Sequence, residues 1–384
     1  MKTVIAIDSF KGSLSTIQAG NAARDGILRV YPDADVTVLP LADGGEGTVS
    51  ALIREQEEKL VTMSVKGPLG TPVTASYGIT SEVSGGKKTA IIEMAAASGI
   101  TLIAPEERNP LCTTTYGVGE LIRDAIDKGC RNFIVGIGGS ATNDCGVGML
   151  SALGFRFLDE NGTPVSFGAR GVGAVRSIDT QSALPALKEC TFHVACDVTN
   201  PLCGERGCSA VYGPQKGATP ETVKEMDGYL SAFARLTASV IGRDESKTPG
   251  VGAAGGLGFA FLTYLGATLE PGVGLVIRET ALEDAIRGAD FVITGEGRLD
   301  DQTCMGKAPT GVADLAKQYG IPVLAFSGCV TDGARLCNEH GIDAFFPVLR
   351  TVTTLEDAMN PENASKNLTD TAEQVFRLIK ALKG

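Results

Sequence analysis

The amino-acid sequence predicts an α/β protein, and three features of the 384-residue chain predict it. Short apolar, β-branched runs alternate with helical patterns at both ends of the chain, as in proteins with parallel sheets. The middle of the chain contains alternating strands with a tight turn, which is typical of antiparallel pairing. Several apolar runs end in acids, hydroxyls and glycines. We therefore expect a Rossmann-like domain built from residues 1–60 and 288–384, an inserted mixed α/β domain over 61–287, and an active site in the cleft between them.

The first predicted strand, residues 3–7, ends at a cluster of polar side chains. Asp8, Ser9 and Lys11 follow it, and Ser15 is placed to cap the next helix. Open α/β sheets bind ligands at the carboxyl ends of their strands. We therefore favour functional roles over a solvated loop, with Lys11 contacting a phosphate or carboxylate and Asp8 near a metal or a hydroxyl.

The second strand, expected at residues 36–39, leads into a glycine-rich loop that contains Asp43 and Glu46. Paired carboxylates in such a loop can hold Mg²⁺ or orient a substrate hydroxyl. Residues 60–80 alternate in polarity around a G-P-L-G turn, which predicts an antiparallel hairpin. A further strand is expected at residues 89–94. The doubly wound pattern is interrupted here, so the inserted domain begins in this region.

Near the middle of the chain, an apolar strand breaks into glycines and small polar side chains. The strand is expected at residues 133–137, and Gly138 and Gly139 follow it. Glycines let the backbone approach a ligand closely, and the next helix offers unpaired N–H groups at its positive end. The alternative is a plain strand–turn–helix joint with a polar cap, but the polar run exceeds what a cap needs. The side chains that follow the glycines are Ser140, Thr142, Asn143 and Asp144.

Two later segments of the middle add charged candidates. A strand expected at residues 192–196 ends at Asp197, which repeats the pattern seen at the end of the first strand. Lys216 lies in a glycine-containing turn and is a plausible anion contact. Residues 220–241 carry apolar side chains at helical spacing, which indicates a helix that packs on the core.

The most glycine-dense run of the sequence is residues 250–258, which includes Gly255 and Gly256. A glycine run before an apolar helix can cradle phosphates with its backbone N–H groups. Tight packing of the helix against its neighbours is an equally good account, so both remain open.

The C-terminal part restores the α/β order. Strands are expected at residues 290–294, 322–326 and 344–348, with a closing helix at 368–382. After the first of these strands comes a loop with glycines, acids and basic side chains. Its candidate residues are Gly295, Glu296, Gly297, Arg298, Asp300 and Lys307.

Composition excludes several classes of partner. The net charge of −11 argues against nucleic acids and anionic membranes as partners. The ten cysteines are dispersed and the chain has two histidines, so no zinc pattern is readable. No apolar run is long enough to span a membrane, and the run at the start is shorter than that of a signal peptide. We therefore expect a cytoplasmic protein that contacts neither nucleic acid nor membrane.

Common enzyme motifs are absent from the sequence. It contains no G-x-x-x-x-G-K-[ST] P-loop, no H-R-D and D-F-G kinase pair and no G-x-S-x-G elbow. The glycines at 136–139 fail the full dinucleotide fingerprint, which argues against the rival hypothesis of a nicotinamide-dependent oxidoreductase.

Eight segments, in order along the chain, resemble the bacterial class I glycerate kinases. The resemblance runs from Asp8 to beyond Gly341, and a small departure occurs at Ile7, where relatives often carry proline. The segments are DSFKGSL, ADGGEGT, IEMAAASG, GIGGSATND, ACDVTNPL, GPQKGA, GAAGGLG and VITGEGRLD.

The resemblance implies a two-domain α/β kinase that uses ATP and Mg²⁺ to phosphorylate D-glycerate. Enzymes of this family in sugar-acid and glyoxylate catabolism generally yield 2-phosphoglycerate, so we expect transfer to the 2-hydroxyl. The alternatives are transfer to the 3-hydroxyl, another small sugar acid as substrate, or a non-catalytic sugar-acid binder. A homodimer is possible.

The resemblance also suggests roles for the polar residues. We expect Asp8 or Asp197 to orient the reacting hydroxyl and Lys11 to contact the transferred phosphoryl group. Predicted substrate contacts are Ser9, Asp43, Glu46, Ser140, Thr142, Asn143 and Arg298. Predicted nucleotide contacts are Gly138, Gly139, Lys216, Gly255, Gly256, Gly295, Gly297 and Lys307. Predicted metal ligands are Asp144, Glu296 and Asp300; for the last two, salt bridges that fix Arg298 are an equal alternative.

Overall fold

The computed structural model describes residues 1–45, 47–53, 59–80, 88–303 and 306–382. These residues divide into two compact units. The terminal unit consists of the described residues within Met1–Asp43, Ser50–Glu55 and Val273–Gly384. The central unit consists of those within Gly44–Val49 and Gln56–Gly272.

Thirteen strands are present in the described residues. In chain order they are β1 (Lys2–Ile7), β2 (Asp35–Val38), β3 (Leu60–Lys66), β4 (Pro72–Thr80), β5 (Thr89–Glu93), β6 (Asn132–Gly136), β7 (Arg156–Leu158), β8 (Ser177–Asp179), β9 (Thr191–Ala195), β10 (Thr268–Glu270), β11 (Phe291–Leu299), β12 (Val323–Val330) and β13 (Ala344–Pro347).

The same residues form fifteen α-helices. They are α1 (Thr16–Leu28), α2 (Thr48–Leu52), α3 (Ala95–Ser98), α4 (Tyr116–Asp127), α5 (Val147–Ala152), α6 (Gly168–Ala174), α7 (Cys208–Tyr212), α8 (Pro220–Ile241), α9 (Ala253–Leu265), α10 (Gly272–Glu279), α11 (Leu282–Ile286), α12 (Ala308–Gln318), α13 (Leu336–Glu339), α14 (Leu355–Met359) and α15 (Pro361–Leu382). In the described part of the chain, no helix combines the length and the apolar character needed to cross a bilayer.

Five parallel strands form the sheet of the terminal unit, in the order β13-β12-β11-β1-β2. Both ends of the chain therefore contribute to one parallel sheet, and the predicted α/β class is confirmed. Alternate side chains of β1 face opposite sides, with Val4 and Ala6 in one core and Ile5 and Ile7 in the other. Helices cover both faces, as parallel sheets require.

The terminal unit resumes at Val273, earlier than the boundary of 288 that the sequence suggested. The reason is packing: Val273, Leu282 and Ile286 bury their side chains in the same core as Val292 and Val323 of the parallel sheet. Helices α10 and α11 thus cover one face of that sheet.

The first and last helices of this unit, α1 and α15, show how well the sequence predicted where helices begin. Ser15 caps α1 in a reciprocal arrangement: its side chain accepts the N–H of Gln18, and the Gln18 side chain accepts the N–H of Ser15. This confirms the predicted cap. Helix α15 instead begins at Pro361, before the expected start at 368, because Asn360 accepts the N–H groups of the first turn.

A six-stranded sheet organises the central unit, in the order β10-β9-β6-β5-β4-β3. Strands β3 and β4 form the predicted antiparallel hairpin, while β5, β6, β9 and β10 pair in parallel. Phe133 of β6 stacks on Phe192 of β9 within one contiguous apolar core. The parallel strands place the loops after β5, β6 and β9 at one edge.

Candidate active site

A cavity of about 380 Å³ lies in the terminal unit, at the carboxyl ends of β1, β11 and β12. Parallel strands end at the same edge of the sheet, so side chains that are distant in sequence meet there. Predicted site residues that line this cavity are Asp8, Ser9, Lys11, Asp43, Glu296, Gly297, Arg298, Asp300 and Lys307.

Asp8 is the most deeply buried acid of this cavity, with 6% of its surface exposed. Its backbone N–H donates to the Gly295 carbonyl at 2.9 Å, and its Oδ1 accepts the N–H of Ser9 at 2.7 Å. Burial, together with the nearby Asp43 carboxylate, raises the pKa of Asp8 from 3.8 to about 7. A carboxyl group with a pKa near neutral pH is suited to accept a proton from a substrate.

Lys11 reaches the same cavity from the loop after β1. Its Nζ lies 4.0 Å from Oδ2 of Asp43, and 59% of the Lys11 side chain is exposed. Such an exposed pair contributes little to stability, because water screens it. The ammonium group therefore stays accessible to an anionic ligand.

Glu296 does not follow a strand, as the sequence suggested, but lies within one. Strand β11 extends to Leu299 because its residues continue to pair with β12, including Glu296 with Ser327 and Leu299 with Val330. Burial raises the pKa of Glu296, while Oε1 accepts the hydroxyl of Thr303 at 2.7 Å. The residues that we expected in a loop thus sit on a regular, sheet-supported backbone.

Asp300 holds the two cationic side chains on this side of the cavity. Its Oδ2 lies 3.3 Å from Nε of Arg298, and its Oδ1 lies 4.0 Å from Nζ of Lys307. The N–H groups of Gln302 and Thr303 donate to the same Oδ1. Asp300 thus forms a salt bridge with Arg298, whose side chain is 65% exposed, and its role as a metal ligand stays a prediction.

The cavity also has an apolar wall that sequence reasoning missed. It is formed mainly by the segment after β13 and by helix α14, and Asn367 of α15 lies beside it. The only signal in the sequence is a group of apolar residues around a short helix. Residues of a hydrophobic core give the same signal. The apolar wall consists of Phe10, Val348, Leu349, Leu355, Ala358 and Met359.

A second polar cluster lies in the central unit, around the loop after β6. Lys216 is 2% exposed, and its Nζ donates to Ser140 Oγ and to the Thr142 carbonyl, both at 2.7 Å. Burial lowers the pKa of Lys216 to about 8. The neighbouring Gly138 and Gly139 are exposed, so the loop presents backbone to solvent while its side chains point inward.

Asp144 belongs to this cluster and is engaged by several donors. Its Oδ2 accepts the N–H and the hydroxyl of Thr115, both at 2.8 Å, and the N–H of Gly148 at 3.3 Å. Its Oδ1 accepts the N–H of Gly146 at 3.1 Å. Burial raises the pKa of Asp144, and these hydrogen bonds oppose the rise. The geometry gives Asp144 a positioning role, joining a threonine-rich loop to the start of α5, and offers no support for the predicted metal contact.

Two buried atoms of the cluster have no partner within the described residues. They are Thr142 Oγ1 and Asn143 Oδ1. The amide group of Asn143 donates to Ser209 Oγ at 2.9 Å, which fixes its orientation. Buried polar atoms without partners are uncommon and suggest a site that a ligand completes.

Gly255 and Gly256 pack against this loop from the start of α9. Both have positive φ, and a Cβ at Gly255 would lie 2.1 Å from the Thr142 carbonyl oxygen. The Gly255 carbonyl accepts the N–H of Cys145 at 3.0 Å. Both glycines are buried, so the structure favours the packing account of this run over the phosphate cradle.

Glu46 lies outside the described residues. Asp197, a predicted base, and Gly295, a predicted nucleotide contact, have surroundings that differ from those expected. Asp197 follows β9 in the central unit and is exposed, with Oδ1 accepting the N–H of Gly272 at 2.9 Å. Gly295 lies inside β11, where a Cβ would be 1.9 Å from the Phe326 carbonyl oxygen. Its role is therefore the close approach of two strands.

Comparisons with known proteins identify the family of the chain. A model of the glycerate kinase family matches residues 3–380. The chain is 48% identical over 379 residues to the glycerate kinase of Haemophilus influenzae, with 99% of each chain covered. It is 46% identical over 376 residues to the glycerate 2-kinase of Escherichia coli K12, covering 97% of this chain and 98% of the relative.

A solved crystal structure extends the agreement to three dimensions. A protein of Salmonella typhimurium LT2 superposes with a TM-score of 0.91 at 47% identity, covering 100% of this chain and 99% of that one. The family model, the two relatives and the solved structure each match nearly the whole chain. The chain therefore belongs to the glycerate kinase family.

Proposed function

We propose that this enzyme transfers the γ-phosphoryl group of ATP to the 2-hydroxyl of D-glycerate, giving 2-phospho-D-glycerate and ADP. The observation that carries the proposal is Asp8, a buried carboxyl group with a pKa of about 7 in a cavity that also holds Lys11, Arg298 and Lys307. Relatives named glycerate kinase and glycerate 2-kinase support this choice of substrate and hydroxyl.

Asp8 is the proposed base. Its carboxylate orients the 2-hydroxyl of glycerate and takes its proton as the oxygen–phosphorus bond forms. The bond between the γ-phosphorus and its bridging oxygen breaks, and ADP leaves with that oxygen. Asp197 is the weaker candidate, because it is exposed and is not among the residues that line this cavity.

Lys11, Arg298 and Lys307 are the proposed phosphate contacts, with Arg298 alternatively holding the glycerate carboxylate. Phosphoryl transfer depends mainly on positioning and on stabilising charge at the phosphate oxygens. Asp300 contributes by restricting Arg298 and Lys307, so that less side-chain freedom is lost when the anionic ligands bind.

Glu296 is the residue of this cavity that we propose as a Mg²⁺ ligand. No group of three or more potential metal-binding side chains occurs in the described ranges. This fits a metal held chiefly by substrate phosphates and water, since Mg²⁺ commonly uses only one or two protein carboxylates in kinases. When bound, Mg²⁺ would neutralise part of the phosphate charge. Asp300, engaged with two cations, is less suited to this role.

The cluster of the central unit supplies further proposed contacts. Thr142 Oγ1 and Asn143 Oδ1 are buried without partners in the described chain, and Gly138 and Gly139 expose their backbone. We keep these residues, with Ser140, as proposed contacts of substrate or nucleotide.

The cytoplasmic location and the homodimer stay predictions.

The direct test is product identity. The purified protein is incubated with ATP, Mg²⁺ and D-glycerate, and the phosphorus-containing products are identified by ³¹P NMR. A 2-phosphoglycerate signal is expected. A 3-phosphoglycerate signal would keep the kinase and overturn the choice of hydroxyl, whereas intact ATP with folded protein would overturn the proposed function.

Asp8→Asn and Asp197→Asn distinguish the two candidate bases in the same assay. We expect the first variant to lose turnover and the second to retain most of it. The reverse result would move the base to Asp197. Circular dichroism confirms that both variants are folded.

A further inference from the structure

The cavity of the terminal unit has two walls of opposite character. One wall carries the acids and cations described above, and the other is the apolar wall. Glycerate is a three-carbon acid with an oxygen on every carbon, so it offers almost nothing for an apolar surface to contact. A cavity of about 380 Å³ also falls within the range of roughly 300–1,000 Å³ that is typical of sites for much larger ligands.

We infer that the apolar wall is the subsite for the purine ring of the phosphoryl donor. This inference rests on the proposed function and adds to it the position of the base. A purine nucleotide has a flat, largely apolar ring at one end and a polyphosphate at the other. The cavity matches this division in its lining, because the apolar side chains come mainly from the segment after β13 and from α14. Lys11 instead comes from the loop after β1, and Arg298 and Lys307 come from the end of β11 and the segment after it.

The two walls adjoin at the loop after β1. Phe10 belongs to the apolar wall and Lys11, its neighbour in sequence, to the charged wall. Met359 Cε lies 3.1 Å from the position a Cβ would take at Gly12, so α14 packs directly on this loop. A single ligand can therefore contact both walls at once, because the walls are adjacent.

Exposure of the apolar wall supports occupation by a ligand. Leu355 is 79% exposed, and Leu349 and Met359 also leave substantial apolar surface open to water. Removing such apolar surface from water is favourable. A ring that lies on these side chains would have this effect.

Asn367 gives the subsite a means of selecting the base. It lines the cavity from α15, and its side-chain amide carries both a donor and an acceptor. Adenine presents an amino donor beside a ring acceptor, which an asparagine amide can pair in bidentate fashion. Guanine presents a carbonyl at the same position. We therefore assign to Asn367 a preference for adenine over guanine nucleotides.

The first test compares two aspartate substitutions on the same segment. Leu355→Asp places a charge on the apolar wall, whereas Val352→Asp alters a fully exposed residue that does not line the cavity. Binding of ADP and of inorganic pyrophosphate is measured by calorimetry in the presence of Mg²⁺. We expect wild type to bind ADP about tenfold or more tightly than pyrophosphate, equivalent to roughly 1.4 kcal/mol from the adenosine part.

Leu355→Asp should remove most of this preference, and Val352→Asp should keep it. The KM for ATP should be higher in Leu355→Asp than in wild type, while the KM for glycerate should be unchanged. Equal preference for ADP in all three proteins would overturn the subsite. A change of oligomeric state in Leu355→Asp, with ADP binding intact, would also overturn it and assign the surface to a second copy of the chain.

The second test uses Asn367→Ala and the ratio of kcat/KM for ATP to that for GTP. The ratio should fall by about tenfold if one bidentate contact is lost. An unchanged ratio would remove Asn367 from the subsite. Because ADP binding needs no turnover, an inactive wild type that still shows Leu355-dependent ADP binding would overturn only the proposed function. Active wild type without that dependence would overturn only this inference.

Discussion

The polar cluster of the central unit and the cavity of the terminal unit arise from the same sequence pattern but have opposite physical states. In both, acids and hydroxyls follow the end of a parallel strand, and a lysine belongs to the same cluster. Around Asp144 and Lys216 these groups are buried and bonded to one another. Around Asp8 they line an open cavity, and the cation Lys11 faces solvent.

The difference separates groups that maintain structure from groups that are available for chemistry. Burial raises the pKa of both carboxyl groups. At Asp144, hydrogen bonds from backbone and hydroxyl donors oppose this rise. At Asp8, the nearby Asp43 carboxylate adds to it. Folds tolerate such unfavourable electrostatics mainly at functional sites. We therefore expect substitutions at Asp8 to affect activity and substitutions at Asp144 to affect stability.

The largest effect is expected for Asp8→Asn. Removing the base should lower kcat by about 10²- to 10⁴-fold. In wild type, kcat/KM for glycerate should rise with pH through about 7, because Asp8 must be ionised to accept a proton. The measurement is a pH–rate profile of both proteins. A wild-type profile without this inflection would contradict the assignment.

The same substitution should stabilise the protein at alkaline pH. The folded-state pKa of Asp8 is raised, so its contribution favours folding at low pH and is lost as the pH rises from about 4 through 7. Asparagine stays neutral. The advantage of Asp8→Asn in urea unfolding should therefore grow from near zero at about pH 4 to, at most, on the order of 4 kcal/mol at pH 8. A constant difference would show that Asp8 has an ordinary pKa.

Asp144→Asn should reverse this balance. The amide replaces a charged acceptor that binds Thr115, Gly146 and Gly148, and its NH₂ group would face donors. We expect a loss of about 2–4 kcal/mol in the free energy of unfolding, measured in urea at pH 7. Asp159→Asn is the matched control, because Asp159 also accepts backbone N–H groups, from Asn161 and Thr163, but is only partly buried. Equal losses would show that burial adds nothing at Asp144.

Lys216→Met tests the buried charge of the central unit. Because the folded-state pKa of Lys216 is lowered to about 8, the unfolded chain binds its proton more tightly. Wild-type stability relative to Lys216→Met should therefore rise between about pH 8 and 10.5, by on the order of 3 kcal/mol. Urea unfolding at several pH values measures this difference. A difference that falls with pH would mean that the charged form is favoured inside the fold.

The sequence allowed the parallel sheet and the charged wall of its cavity to be predicted, for one physical reason. Parallel strands end at a common edge, so Asp8 and Arg298 were expected to share one site before their distances were known. The burial of these polar side chains could not be predicted from the sequence in the same way. A polar residue after a strand gives no sign of whether it opens to solvent, as Lys11 does, or closes on neighbours, as Asp144 does.

Two other features were ambiguous for reasons of chemistry. Glycine supplies both a positive φ and room for close contact, so Gly255 fitted a phosphate cradle and a packing contact equally well until the Thr142 carbonyl was located. The apolar wall was missed because residues such as Leu355 are indistinguishable in type from core residues. Their exposure appears only in three dimensions.

Asp300→Asn has the smallest expected effect and sharpens the comparison inside the cavity itself. Asp300 positions Arg298 and Lys307 but is not proposed to touch the reacting atoms. Both cations should remain charged and gain freedom, which must be lost again when the phosphates bind. We therefore expect the KM for ATP to rise by about tenfold, with a smaller fall in kcat. Asp343→Asn is the matched control, because Asp343 also pairs with a lysine, Lys317, but lies outside the cavity. An equal rise in both variants would mean that the effect spreads through the fold, and a fall in kcat alone would place Asp300 among the groups that contact the transition state.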